Sequence, residues 1–131
     1  MHKSTFRIEH IGLWVRDLET MREFYEKYFN AQANELYHNR NTNFKSYFLS
    51  FPASDTRLEL MNKPELTKPT SESFGYAHLA YQVENNEAVN FLHKRLIDDG
   101  YKHVNGPRIT GDGYYEAVVE DPEGNLIEIT S

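Results

Sequence analysis

Two stretches of alternating apolar and polar residues, each followed by a helical stripe, organise this chain. Residues 6–15 alternate, which predicts a strand. Asp17 then stands where a helix N-cap is expected, ahead of apolar positions at helical spacing that run to about Asn30. Three further strands are predicted at about 33–38, 44–51 and 56–62. The first half therefore reads as a βαβββ module.

The second half repeats this order after a proline-containing segment, Asn62 to Gly75, that has no periodicity. Its predicted elements are a strand at 76–83, a helix from Asn86 to Asp99 stopped by Gly100, and strands near 102–104, at 114–120 and at 125–130. Asp121-Pro122-Glu123-Gly124 carries the residues of a type I turn, which predicts a hairpin between the last two strands.

These elements predict an α+β fold. We expect two βαβββ modules, at about 5–63 and 75–131, within a single domain that spans residues 1–131. In the strands at 6–15, 56–62, 76–83 and 125–130 one face is more apolar than the other. We therefore expect helices on the outer, apolar face of a mixed sheet whose other face curls, like a barrel, into a polar cup.

Composition limits the classes of partner. The 131 residues carry a net charge of −6, which argues against binding nucleic acid or an anionic membrane surface. No run is long and apolar enough for a membrane span, and the N-terminus lacks a secretory signal. The absence of cysteine excludes thiolate ligands and a cysteine nucleophile. We expect a cytoplasmic protein with a small-molecule partner.

Each half places a histidine in its first strand and a glutamate in its last. His10 and Glu59 are 49 residues apart (59 − 10), and His78 and Glu128 are 50 apart (128 − 78). All four lie on the less apolar face of their strand, and buried His and Glu are costly unless something pairs with them. Core histidines bonded to backbone, and glutamates on exposed edge strands, explain the alternation equally well. The internal repeat favours a metal site.

Several motifs, in this order and spacing, resemble the vicinal oxygen chelate superfamily, whose best-known member is glyoxalase I. They are His10-x-Gly12-x-x-Val15-x-Asp17-Leu18, Leu58-Glu59-Leu60, Gly75-x-x-His78-Leu79-Ala80 and Glu120-Asp121-Pro122-Glu123-Gly124-Asn125-x-Ile127-Glu128. The resemblance covers the whole chain. It implies paired βαβββ modules around one divalent ion in a homodimer.

The resemblance also implies residue roles. The metal ligands would be His10, Glu59, His78 and Glu128. Two imidazoles and two carboxylates suit Ni, Co or Zn, and also Mn or Fe. Glu128 would be the principal catalytic base and Glu59 its counterpart on the other side of the substrate, an assignment that the symmetry of the repeat could reverse.

Three further residues are candidates for binding substrate. Trp14 and Met61 share faces with the ligands, so they are predicted pocket walls, although ordinary core packing explains them equally well. Arg108, in a glycine-rich segment at 106–115 that reads as a surface loop, could meet an anionic substrate. Trp14 also stands where glyoxalase I commonly has an arginine that grips a glutathione carboxylate, and an indole cannot do so.

The sequence thus predicts a metal-dependent glyoxalase I-like enzyme, a lyase or isomerase. Its substrate would be a small α-oxo compound or a thiohemiacetal, converted through a metal-bound enediolate. Three alternatives stay open. One is another enzyme of the superfamily, such as an epimerase, a dioxygenase or a thiol transferase. A second is a ligand-sequestering binder of the bleomycin-resistance kind. The third is a fold whose metal site no longer works.

Overall fold

A computed structural model describes residues 4–67 and 73–131. The chain divides into two compact units, Met1–Lys68 and Pro69–Ser131, here called the first and the second module. Each module contains one helix and one open mixed sheet, which confirms the predicted α+β class. Across the described residues, neither helix combines the length and apolarity that a bilayer crossing requires.

The first module is a five-stranded sheet with one helix. Its elements are β1 (His10–Trp14), α1 (Leu18–Phe29), β2 (Gln32–Ala33), β3 (Tyr37–Asn39), β4 (Phe44–Phe51) and β5 (Ser54–Asn62). The strand order is β1-β5-β4-β2, and β3 also pairs with β4. β1 runs parallel to β5, whereas β4 is antiparallel to β5, β2 and β3.

The helix of this module packs on one face of the sheet. Met21 and Tyr25 of α1 are fully buried, as is Leu60 of β5, and Leu58 is nearly so. Leu58 and Leu60 alternate with Glu59, so the helix covers the face opposite the glutamate. The predicted division between an apolar and a polar face is therefore confirmed for this module.

The second module repeats this plan with four strands. Its elements are β6 (His78–Gln82), α2 (Asn86–Asp98), β7 (His103–Ile109), β8 (Tyr115–Glu120) and β9 (Leu126–Thr130), in the sheet order β6-β9-β8-β7. β6 is parallel to β9, and the other pairs are antiparallel. Ile127 and Ile129 of β9 are fully buried, as are Val89 and Leu96 of α2, so the helix again covers the face opposite the glutamate.

The hairpin that delivers Glu128 is present as predicted. The buried carboxylate of Asp121 accepts hydrogen bonds from the backbone N–H groups of Glu123 and Asn125, both at 2.9 Å. The Gly124 N–H donates to the Asp121 carbonyl at 3.0 Å, which closes the turn. These bonds fix the register of β8 against β9.

Three strand predictions need correction. β1 begins at His10 and not at residue 6, and Phe6 and Ile8 are 94% and 63% exposed. The strand expected at 33–38 is divided into β2 and β3. β7 continues to Ile109, so Arg108 lies on a strand and not in a loop.

Local sterics explain why a glycine lies inside β7. Gly106 has φ +78°, and a Cβ there would lie 2.4 Å from the carbonyl oxygen of Glu116. Only glycine allows the two strands to approach this closely. The pairing shifts register between Asn105 and Arg108 and then resumes, as at a β-bulge on an edge strand.

Both helices begin at a side-chain cap. Asp17 Oδ1 accepts from the Thr20 N–H at 3.0 Å, and Asn85 Oδ1 accepts from the Ala88 N–H at 2.9 Å. The Thr20 backbone N–H is the main cause that lowers the pKa of Asp17 below its ordinary value of 3.8. One helix therefore has an ionisable cap and the other a neutral cap.

These caps predict different pH dependences of stability. Because the folded-state pKa of Asp17 is depressed, its contribution is present above about pH 3.8 and is lost as the pH falls through the folded-state pKa. Asp17→Ala should lower the free energy of unfolding at pH 7 and have a smaller effect at pH 3. Asn85→Ala should cost about 1 kcal/mol at both pH values. Urea denaturation at pH 3 and pH 7 measures the free energy of unfolding of both variants. An Asp17→Ala effect of equal size at the two pH values would contradict the expectation.

Candidate functional site

In the first module, strand pairing brings His10 and Glu59 together. β1 and β5 are parallel with His10 opposite Arg57 and Gly12 opposite Glu59, so the two side chains are diagonal neighbours on the face away from α1. His10 Nε2 lies 3.7 Å from Glu59 Oε1. The histidine side chain is 42% exposed and the glutamate side chain 16% exposed.

The second module reproduces this arrangement. β6 and β9 are parallel with His78 opposite Leu126 and Ala80 opposite Glu128. His78 Nε2 lies 3.1 Å from Glu128 Oε2. In both modules the histidine faces the residue two positions before the glutamate, so the repeat seen in the sequence is also a repeat of strand register.

This geometry excludes two alternative explanations of these residues, namely glutamates on edge strands and histidines in the core. β5 lies between β1 and β4, and β9 lies between β6 and β8, so neither glutamate is on an edge strand of its sheet. His10 and His78 have side chains 42% and 40% exposed, so neither is a core histidine. Each pair instead presents an imidazole nitrogen and a carboxylate oxygen on the polar face.

Each pair fits two neighbouring positions on a divalent ion. Donors about 2.1 Å from one ion and at a right angle are about 3 Å apart, close to the 3.1 Å of His78 and Glu128. The 3.7 Å of His10 and Glu59 fits a wider angle. Within residues 4–67 and 73–131, no group of three or more His, Asp or Glu side chains is close enough to hold an ion. Binding of one ion by all four residues stays a prediction.

Sequence reasoning missed Glu116. β8 and β9 pair with Val118 opposite Glu128 and Glu116 opposite Thr130, so Glu116 shares the polar face with Glu128. The neighbouring Glu128 carboxyl, followed by partial burial, raises the pKa of Glu116. Among the described residues, the buried Oε2 atom of Glu116 and the buried Oγ1 atom of Thr130 have no hydrogen-bond partner. The alternation of β8 could have identified this residue.

Arg108 lies beside Glu116. The two residues are directly opposite in the β7–β8 pairing, which puts Arg108 on the same face of the sheet as Glu128. The charge of Arg108 lowers the pKa of Glu116, although less than Glu128 raises it. On the polar face of the second module, Arg108 therefore lies near the carboxyl groups of Glu116 and Glu128.

Trp14 and Met61 lie on the polar face of the first module. They are opposite each other in the β1–β5 pairing. Trp14 is 45% exposed, and Lys63 Nζ lies 4.7 Å from the centroid of its ring. Met61 lies over Gly12, where an added Cβ would be 2.7 Å from the Met61 Cε. The exposure of Trp14 argues against core packing for this residue.

Asn62 has a structural role. Its Nδ2 donates to the carbonyl oxygen of Val15 at 2.7 Å and, more weakly, to that of Arg16 at 3.3 Å. The amide thus ties the end of β5 to the segment between β1 and α1.

Sequence reasoning also missed Glu9, which directly precedes β1. Its carboxylate contacts Arg57 and the Nδ1 of His10. The hydrogen bonds from Arg57 and then from His10 lower the pKa of Glu9 to about 2. Strict alternation would have put the Glu9 side chain on the face opposite His10. Glu9 directly precedes β1, however, and its side chain turns toward Arg57 and His10.

Comparisons with known proteins agree with this architecture. Residues 7–129 match the Glyoxalase/Bleomycin resistance protein/Dioxygenase superfamily. Virulence protein STM3117 of Salmonella typhimurium is 30% identical over 130 residues, which cover 95% of this chain and 83% of that protein.

Two solved structures illustrate the shared fold. The trypanothione-dependent glyoxalase I of Leishmania major has a TM-score of 0.77 at 22% identity, covering 97% of this chain and 87% of that one. A mutant of the fosfomycin resistance protein FosX of Listeria monocytogenes, complexed with Mn(II) and a dihydroxypropylphosphonic acid, has a TM-score of 0.71 at 21% identity. That match covers 95% of this chain and 91% of the FosX chain.

The contact between Glu116 and Glu128 predicts a pH-dependent difference in stability. The pKa of Glu116 is raised in the folded state, so ionising this carboxyl is less favourable there than in the unfolded chain. The free energy of unfolding should therefore fall as the pH rises above about 4.5. Glu116→Gln should therefore unfold at higher urea concentration than the parent at pH 7, measured without metal. The two proteins should converge near pH 4. Equal stability at pH 7 would show that the two carboxylates do not repel each other.

Proposed function

Because the chain belongs to the Glyoxalase/Bleomycin resistance protein/Dioxygenase superfamily, we propose that it is a divalent-metal-dependent lyase or isomerase of the glyoxalase I type. Its substrate is a small α-oxo compound or a thiohemiacetal. The supporting observation is the repeated register that brings a histidine and a glutamate together in each module.

The four repeated residues are the proposed metal ligands. Their imidazole nitrogens and carboxylate oxygens suit Ni, Co or Zn best, and Mn or Fe also. A bound divalent ion supplies Lewis acidity that polarises a carbonyl oxygen of the substrate. The remaining steps belong to side chains of this chain.

Proton transfer is assigned to the two glutamates. Glu128 removes a proton from the carbon next to the carbonyl and holds it on a carboxylate oxygen. Glu59 is its counterpart on the other side of the substrate. Each glutamate lies on an interior strand, which holds its backbone firmly. The side chains remain partly exposed, at 24% for Glu128 and 16% for Glu59.

Substrate binding is assigned to Trp14, Met61 and Arg108. Trp14 and Met61 offer an exposed aromatic face and a flexible thioether beside Glu59, which suit an apolar substituent. Arg108 offers a guanidinium that can hold a carboxylate or another anionic group. Since Trp14 cannot bind a glutathione carboxylate, a thiol other than glutathione is compatible with this site.

We further propose that the protein is a cytoplasmic homodimer.

Metal binding tests the ligand assignment. The metal-free protein should bind one divalent ion per chain in calorimetric titrations with Ni, Co and Zn. His10→Ala, His78→Ala, Glu59→Gln and Glu128→Gln should each weaken binding by at least about tenfold. His38→Ala is the matched control, since His38 lies on β3, away from the four proposed ligands in the sequence repeat, and is hydrogen-bonded to Asn43. Two ions per chain, or unchanged affinity in these variants, would contradict a four-ligand site.

Activity tests the reaction class. Metal-loaded protein should isomerise the adduct of methylglyoxal with at least one of several thiols, glutathione included, and Glu128→Gln should lower kcat by about 10²-fold or more. Conversion of a keto or hydroxy acid, ring cleavage, or thiol transfer to an antibiotic would indicate another enzyme of the superfamily. Tight ligand binding without turnover would indicate a sequestering binder.

A further inference from the structure

An ion pair between Glu9 and Arg57 contacts His10. Within the part of the chain that the structure describes, His78 has no such pair beside it. Arg57 Nε donates to Glu9 Oε2 at 3.1 Å and Arg57 Nη2 donates to Glu9 Oε1 at 2.6 Å, a bidentate pair. Glu9 Oε1 also lies 3.0 Å from His10 Nδ1. One carboxylate thus joins the guanidinium and the imidazole.

This contact fixes which ring nitrogen of His10 is available. An ionised carboxylate only accepts hydrogen bonds, so His10 Nδ1 carries the proton and donates it to Glu9. In the neutral imidazole the lone pair is then on Nε2, the nitrogen 3.7 Å from Glu59. The tautomer that a metal ion requires at Nε2 is therefore already set in the metal-free chain.

We propose that Glu9 and Arg57 are positioning residues that hold His10 in the tautomer and orientation needed for binding a divalent metal ion. This inference deepens the proposed function and rests on His10 being a ligand. Carboxylates that accept from the second nitrogen of a ligating histidine raise metal affinity in general.

Packing around Phe48 supports the arrangement. The Arg57 guanidinium carbon lies 4.1 Å from the centroid of the Phe48 ring, and the His10 ring meets the same aromatic ring edge-on at 5.2 Å. Phe48 is directly opposite Glu59 in the β4–β5 pairing. One aromatic ring therefore restricts both the cation and the imidazole.

The second module provides an internal comparison. The residue before His78 is Ala77, and the residue opposite His78 is Leu126 and not an arginine. Neither can supply a carboxylate or the cation that holds it. His10 is thus the preorganised histidine of the two, and loss of Glu9 should affect His10 and leave His78 unchanged.

Nuclear magnetic resonance of the histidine ring nitrogens in metal-free protein is the direct test. In the parent, His10 should be protonated on Nδ1 at a pH where the ring is neutral. Glu9→Ala should shift His10 toward a mixture of tautomers and leave the His78 signals in place. Asp55→Ala is the matched control, because this substitution also removes one negative charge at the same end of the sheet. Asp55 forms an exposed ion pair with Arg7.

Metal titration supplies the second readout. Glu9→Ala and Arg57→Ala should weaken divalent metal binding by about tenfold, with Asp55→Ala unchanged. An unchanged His10 tautomer and unchanged affinity in Glu9→Ala would overturn the proposal and leave only a surface ion pair between β1 and β5. If the parent protein bound no metal while Glu9→Ala still changed the His10 tautomer, the proposed function would fail and the positioning of His10 would stand.

Discussion

The parallel pairing of the first and last strands of each module is the constraint on which the rest of the structure depends. With His10 opposite Arg57 and His78 opposite Leu126, each histidine is placed diagonally beside a glutamate on the same face. A shift of one residue in either pairing would turn every side chain of one strand to the other face and separate the pair. The register is held because Leu58, Leu60, Ile127 and Ile129 must remain under their helices.

The helix-covered face and the opposite face of each sheet therefore have different roles. The helix-covered face excludes water and supplies the hydrophobic stabilisation, since its leucines and isoleucines are almost completely buried. The opposite face is left for groups that would be costly in a core, among them two histidines, two candidate ligand glutamates, Glu116 and Arg108. Strand alternation is what allows one short segment to contribute to both.

The modules repeat the His–Glu geometry, but their surroundings differ. In the first module, Glu9, Arg57 and Phe48 surround the histidine, and a tryptophan and a methionine lie nearby. In the second, a further carboxyl group and an arginine flank the glutamate. Positions related by the repeat confirm the contrast, because Ser46 stands where the second module has Glu116. One half is thus built to orient a histidine and the other to concentrate charge.

The sequence by itself determined the α+β class, the repeated module and the polar face of the four strands that carry the histidines and glutamates, because period-two and helical patterns depend only on neighbouring residues. Through the internal repeat it also predicted His10, Glu59, His78 and Glu128 as metal ligands, which stays a prediction. Only the tertiary structure decided that β7 continues through Gly106 to Arg108, since that depends on how closely a neighbouring strand approaches. The tertiary structure also revealed Glu9, whose side chain turns to contact Arg57 and His10. It revealed Glu116 as well, because strand register places this residue beside Glu128.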